Sequence, residues 1–292
     1  MDSYRYRKID AFTSPGSLGN PAACLYLESG QRIDDQAMLD IARQHKGFVS
    51  EVVYCQSAGG GIRLSYYSSE CEVDFCGHGT IACMYTLIKE TPELLDAGEI
   101  AVETNRKGPI TVYNRLREQD AVFITAPAPE YIGTGVSAAE AAAALGLPSE
   151  EVSVARPLDM IDAGLRTLIV PLRTLRTTVS VFSELDVLRG FCVEKGADIV
   201  LIYCLDTENP ERRAHTRVFA PKFGYLEDPA TGSGNSAFGY YMLKNDLWPG
   251  DDCSLEQGGN DRVFNTVKLG MREGKVIFGG AATTRIAGKY YY

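Results

Sequence analysis

The chain repeats itself, and that limits its fold more than any single motif. Gly232-Ser233-Gly234 followed by NSAFGYYMLK lies without a gap over Gly77-His78-Gly79 followed by TIACMYTLIK, an offset of 155 positions (232 − 77). Ala82 and Ala237, Tyr85 and Tyr240, and Lys89 and Lys244 coincide in that frame. Upstream, IDDQAMLDIARQHKGFVSEVVYC lies over FSELDVLRGFCVEKGADIVLIYC at an offset of 149, so that Gly47, Tyr54 and Cys55 meet Gly196, Tyr203 and Cys204. Earlier still, GNPAACLYL from Gly19 meets GLRTLIVPL from Gly164 at 145. Generic strand and helix patterns can coincide by chance, but three matches in one order with slowly growing offsets are the mark of a tandem duplication. Repeats of this length are domain-sized, not solenoid units. They predict an α+β fold of two pseudo-symmetric domains, residues 1–127 and 128–277. The boundary is put at the proline-rich APAPEY, Ala126 to Tyr131.

Within each half the pattern reads strand, strand, helix, strand, strand, helix. Asp34 and Asp35 ahead of Met38, Ile41 and Ala42 predict an amphipathic helix ending at Gly47; Ser183 starts its counterpart, which ends near Gly196. Ser137 with Glu140 is a capping-box start for an alanine-rich helix stopping at Gly146. The segments after Gly79 and Gly234 are apolar nearly all round. Such helices must be buried on every side, which in a strand-rich domain calls for a sheet curled about them.

Composition removes several function classes. A net charge of −9 argues against binding nucleic-acid backbone, and no apolar run reaches the roughly 20 residues that a membrane-spanning helix needs. The N-terminus MDSYRYRKIDAF lacks the apolar core of a signal peptide. The eight cysteines, scattered through apolar segments, fit reduced thiols in a cytoplasmic protein.

Chemistry concentrates at the two glycine pairs. A helix N-terminus presents unpaired N–H groups and partial positive charge. Gly77 with Gly79, and Gly232 with Ser233 and Gly234, are therefore candidate cradles for a small carboxylate, though glycines also serve simply to permit tight turns. Neither loop has the lysine of a nucleotide P-loop. The duplication exposes an asymmetry: at offset 149, Glu51 stands where the second copy carries Val200. A carboxyl in a partly apolar strand position suits proton transfer, while a solvated edge-strand glutamate is the plainer alternative. Cys71, Cys76, His78 and Cys83 lack the spacing of paired metal ligands, so no metal is assigned. Cys76 at a helix start is a candidate base, with Thr231 as its counterpart.

These residues resemble the phenazine-biosynthesis PhzF-like family, which has the diaminopimelate-epimerase fold. The motifs are DAFTSPGSLGNPAACLYL, SEVVY at Ser50, DFCGHGTIA at Asp74, TRVFAPKFGYLEDPATGS at Thr216 and a strand at Gly279. The resemblance implies two barrel-like halves, each around a central helix, with an active site in the cleft between them. It also implies a last strand, residues 278–292, returning to the first half. It further implies a homodimer with no metal or organic cofactor, acting on a small carboxylate-bearing substrate. Carried over, Glu51 matches the acid/base glutamate, and His78 and Asp228 match catalytic polar residues. Asn20, Gly77, Gly79, Gly232, Ser233 and Gly234 match substrate-binding positions. The two-cysteine chemistry of the epimerase branch has only Cys76 to rest on. Phe48-Val49-Ser50-Glu51-Val52 departs from the family's usual Asn-x-Ser-Glu-Thr. The function implied is an isomerase moving a proton through one glutamate. A single-base epimerase or lyase using Cys76, or a non-catalytic protein retaining the fold, are the alternatives.

Overall fold

The computed structural model describes residues 2–58, 61–259 and 263–292. It resolves into two compact units, one of residues 1–13, 19–125 and 279–292, the other of residues 14–18 and 126–278.

In the first unit, β1 (Ser3–Ala11) pairs antiparallel with β2 (Asn20–Leu27) and with the C-terminal strand Ala282–Tyr291. Helix α1 (Asp35–Gln44) leads to β3 (Glu51–Ala58), which runs parallel to β2. Strands β4 (Gly61–Ser68) and β5 (Glu72–Val73) follow antiparallel, then α2 (Gly77–Glu90) and the single turn α3 (Pro92–Leu95). Next come β6 (Glu99–Thr104), parallel to β4, β7 (Gly108–Arg115), the turn α4 (Leu116–Gln119) and β8 (Ala121–Thr125). Helix α2 packs on β1, β2, β3, β8 and the C-terminal strand, and every residue from Gly79 to Ile88 is buried. The apolar circumference of this helix leaves no solvent face, so the sheet curls round it.

The second unit repeats that wiring. It comprises β9 (Glu130–Tyr131), α5 (Ala138–Leu145), β10 (Asp159–Asp162), β11 (Arg166–Pro171), α6 (Leu175–Ser180) and α7 (Leu185–Lys195). Strands β12 (Ile199–Cys204), β13 (His215–Phe219) and β14 (Glu227–Asp228) lead into α8 (Gly232–Lys244), followed by β15 (Cys253–Gln257), β16 (Asn265–Arg272) and β17 (Lys275–Gly280), the last two residues of which belong to the first unit. As in the first unit, β11 and β12 run parallel, β12–β13 and β13–β14 antiparallel, and β13–β15 parallel. Helix α8, packed on β10, β11, β12 and β16, is the counterpart of α2.

The register refines the sequence alignment. Ala23 pairs with Val52 in the first unit and Leu168 with Val200 in the second, and all four face the outer helices α1 and α7. With Ala23 set on Leu168, Val52 therefore corresponds to Val200, an offset of 148 rather than 149. Glu51 then corresponds to Ile199, the opening residue of β12, and not to Val200. The Tyr54–Tyr203 coincidence was misleading. The Tyr54 hydroxyl donates to the Met38 carbonyl in α1 at 2.7 Å, whereas Tyr203 bonds Tyr241 in α8 at 3.0 Å. One residue of slip exchanges the faces of a strand.

Caps largely follow the sequence. Asp34 accepts the Ala37 N–H, Ser137 and Glu140 form both bonds of a capping box, and Gly146 and Gly196 end α5 and α7 with φ of 70° and 72°. Two ends differ. Helix α1 stops at Gln44 because His45 turns back, its Nδ1 2.8 Å from the Ile41 carbonyl. Ser183 does not cap α7; its hydroxyl donates to the Leu145 carbonyl, and Glu184 holds the cap position.

Candidate active site

Glu51 opens β3, a strand flanked by β2 and β4, so it is no edge-strand residue. Its side chain is 22% exposed, and Oε2 lies 3.4 Å from His78 Nε2. Cys76, the N-cap residue of α2, places Sγ 3.8 Å from the same Oε2 and 3.5 Å from His78 Nδ1. The Gly79 N–H donates to Sγ at 3.3 Å, a long contact suited to sulfur. Three proton-handling side chains from two elements therefore converge on one helix start.

Close packing produces the convergence. A Cβ on Gly79 would lie 2.7 Å from Val53 Cγ2 and 2.9 Å from Cys76 Sγ, so only glycine lets α2 approach β3 this closely. Gly77 and Gly79 do not have positive φ, and neither do Gly232 and Gly234, so none of the four is there for turn conformation. Thr80 fixes the helix entry: its Oγ1 donates to the Cys76 carbonyl at 2.7 Å and meets the Tyr66 hydroxyl at 2.7 Å. Asn20 is buried at the start of β2, the same end of the parallel β2–β3 pair that Glu51 opens.

In the second unit, Asp228 ends β14 opposite Val218 and its Oδ2 accepts a short bond from the Thr231 hydroxyl. The loop rests on a buried amide network. Gln257 Nε2 donates to the Asp228 carbonyl at 2.9 Å, and Gln257 Oε1 accepts from the Thr231 N–H at 2.9 Å and from Asn235 Nδ2 at 2.6 Å. Thr216 closes the network on Asn235 Oδ1 at 3.1 Å. Gly232 is obligatory, since its Cβ would sit 2.1 Å from the Phe278 ring. Ser233 is half-buried in the first turn of α8, its carbonyl accepting from the Ser236 hydroxyl. Glu227, the residue before Asp228, forms two bonds with Arg217, at 2.9 and 2.7 Å.

Sequence reasoning missed Arg217, Gln257 and Asn235. Asn235 carried a signal: it and Thr80 are polar residues at equivalent points of the two largely apolar helices, 155 positions apart. Of the four residues weighed as metal ligands, the fold keeps Cys76 and His78 together. Among the described residues it adds Glu51 to them, and not Cys71 or Cys83.

An acid, an imidazole and a thiol thus meet at the start of a buried helix, a set of side chains able to take up and return a proton. The sequence matches the family "Phenazine biosynthesis-like protein" over residues 9–288, and the chain belongs to that family. It is 25% identical to "Uncharacterized isomerase YfhB" of Bacillus subtilis, covering 98% of this chain and 95% of that one. An uncharacterized isomerase of Pseudomonas aeruginosa is 28% identical over 96% of both chains. Among solved structures, a PhzF-family phenazine biosynthesis protein of Bacillus anthracis superposes with a TM-score of 0.84 at 24% identity, covering 100% of each chain. A hydroxyproline epimerase of Agrobacterium vitis gives 0.62 at 12% identity, over 99% of this chain and 91% of that one, which places both in one fold. Among the described residues, no helix is long and apolar enough to cross a membrane.

Proposed function

We propose that the chain moves a proton within a small carboxylate-bearing metabolite, with Glu51 as the single acid/base. The observation that carries this reading is the 3.4 Å approach of Glu51 Oε2 to His78 Nε2 at the N-terminus of α2. Glu51 takes a proton from a carbon next to an electron-withdrawing group, and the electron pair of that C–H bond delocalises into the substrate. The same carboxyl then returns the proton to another carbon, so one C–H bond breaks, one forms and the double bond migrates. Nothing is oxidised, and the written reaction calls for no electron acceptor. His78 orients the substrate's amino or hydroxyl group, and the N–H groups of the first turn of α2 steady the carboxylate as charge develops. Asp228 and the Gly232–Gly234 helix start are the second unit's own candidate binding groups, as the family resemblance implies. The A. vitis epimerase, which carries trans-4-OH-L-proline, supports a guest of about that size and charge.

A second reading rests on the Gly79 N–H aimed at Cys76 Sγ, which would steady a thiolate base. Cys76 is only 6% exposed, however, against 22% for the Glu51 side chain, which favours Glu51 as the group that meets substrate. The test is solvent-deuterium uptake by a panel of small unsaturated and cyclic amino acids. In Glu51→Gln, uptake should fall by about 10²- to 10⁴-fold, while Cys76→Ser retains most of it. Uptake within a few-fold of wild type in Glu51→Gln overturns the assignment, and loss confined to Cys76→Ser transfers the role to the thiol.

A further inference from the structure

We propose that Glu51, Cys76 and His78 bind one divalent cation of borderline softness, with Zn²⁺ as the representative ion. The three ligand atoms come from β3, the cap of α2 and its first turn, and they form a triangle. Its edges are 3.4 Å from Glu51 Oε2 to His78 Nε2, 3.8 Å from Oε2 to Cys76 Sγ, and 3.8 Å from Sγ to Nε2. With the usual Zn–S, Zn–N and Zn–O bond lengths, a tetrahedral ion spans ligand–ligand edges of about 3.3 to 3.6 Å. The triangle needs only a few tenths of an ångström of contraction to close on such an ion.

The donor set is selective. A thiolate with an imidazole favours zinc-class ions over magnesium or calcium, which prefer oxygen. Three protein ligands leave the fourth tetrahedral position for water or a substrate carboxylate, the arrangement of an open rather than a closed zinc site. The Gly79 N–H at 3.3 Å from Sγ supplies an outer partner for the sulfur. The Glu51 and His78 side chains, 22% and 14% exposed, leave a route for the ion. On binding, the S–H bond gives way to S–Zn and the thiol proton passes to buffer, with no change of oxidation state. An ion held there occupies Glu51, so it inhibits proton transfer. The inhibition, though not the binding, rests on the function proposed above.

The test is calorimetric titration of the chelator-stripped full chain with Zn²⁺, alongside Co²⁺ absorption spectra, in wild type, Cys76→Ser, Glu51→Gln, His78→Gln and Cys71→Ser. Cys71 is exposed and lies outside the cluster. Wild type and Cys71→Ser should bind one ion, and each of the other three should lose at least about tenfold in affinity. The cobalt–thiolate charge-transfer band should vanish in Cys76→Ser, with circular dichroism confirming that the variants are folded. Absence of saturable one-to-one binding, or affinity and band unchanged in Cys76→Ser, overturns the site. One-to-one binding that leaves deuterium uptake untouched supports the site and counts against Glu51 as the base.

Discussion

Arg217 and Glu227 lock two adjoining strands of the second unit together. Nε and Nη2 of Arg217 each donate to one oxygen of Glu227, and Nη1 donates to the carbonyls of Thr178, Val179 and Val181 at 3.0, 3.1 and 2.7 Å. The guanidinium is 7% exposed and lies against the backbone of Gly259, where a Cβ would come within 2.9 Å of it. Removing it strands a half-buried carboxylate and three carbonyls at once. Arg217→Ala should therefore cost about 3–5 kcal/mol, seen as a lowered urea midpoint. Arg217→Lys should recover only part of this, because a point charge cannot make the paired bonds. A midpoint for Arg217→Ala within error of wild type would show that the pair is not structural.

For Asp228, directly after Glu227, the role proposed is in the reaction rather than in holding the fold. Its Oδ2 accepts from Thr231, and the loop's shape is held by Gln257 through main-chain bonds rather than through the Asp228 carboxylate. Asp228→Asn keeps the size of the side chain and an acceptor for Thr231. It should leave the thermal midpoint nearly unchanged while lowering kcat/KM by at least about tenfold, equivalent to about 1.4 kcal/mol of lost transition-state stabilisation. Steady-state kinetics beside a melting curve separate the two effects. Full activity in Asp228→Asn would remove it from the catalytic set.

The duplication, the buried helices and the glycine pairs were legible because each leaves a pattern along the chain. At offset 155 the frame holds in three dimensions: Glu72 pairs with Tyr67 as Glu227 pairs with Phe219, and both lead into the glycine-started helices. The strand before them was legible only to within one residue. Identical tyrosines at 54 and 203 outweighed the parity of the strand in a linear comparison. Burial against different helices decides otherwise, and Ile199 replaces Val200 as the apolar counterpart of Glu51. The inference that one copy carries an acid where the other is apolar survives the change. Long-range polar partners such as Arg217 with Glu227, or Gln257 with Asn235, leave no periodic trace, because sequence spacing says nothing of which strands pair.

Gly79 sets two effects of opposite sign against each other. An alanine in a helix gains about 0.5–1 kcal/mol over glycine from the unfolded chain. The added methyl, however, would press on Val53 Cγ2 at 2.7 Å, in a fully buried side chain, and on Cys76 Sγ at 2.9 Å. Overpacking of that kind costs about 1–3 kcal/mol, so Gly79→Ala should be destabilised on balance. It should also alter the reaction rate of Cys76 with an alkylating reagent, since the methyl displaces the thiol. Stability equal to or above wild type would mean that α2 shifts outward without strain.

Glu256 gives the fold an acid-sensitive point away from the proposed chemistry. Burial alone would raise the pKa of its carboxyl, but that is outweighed by the bond to His215 at 3.1 Å and by the N–H groups of Asn209 and Glu208 at 2.7 and 3.1 Å, leaving the pKa below the ordinary carboxylate value. A carboxyl depressed by folding stabilises the native state fully above its unfolded pKa, near 4.3, and progressively less as pH falls through its lower folded value. The urea midpoint of wild type should therefore decline between about pH 5 and about pH 3. Glu256→Gln does not titrate and keeps an acceptor for only one of the two N–H groups, which bond different carboxylate oxygens. It should start from a lower midpoint near neutrality and decline less steeply over that interval. An unchanged acid slope in Glu256→Gln would assign the loss of stability to other carboxylates.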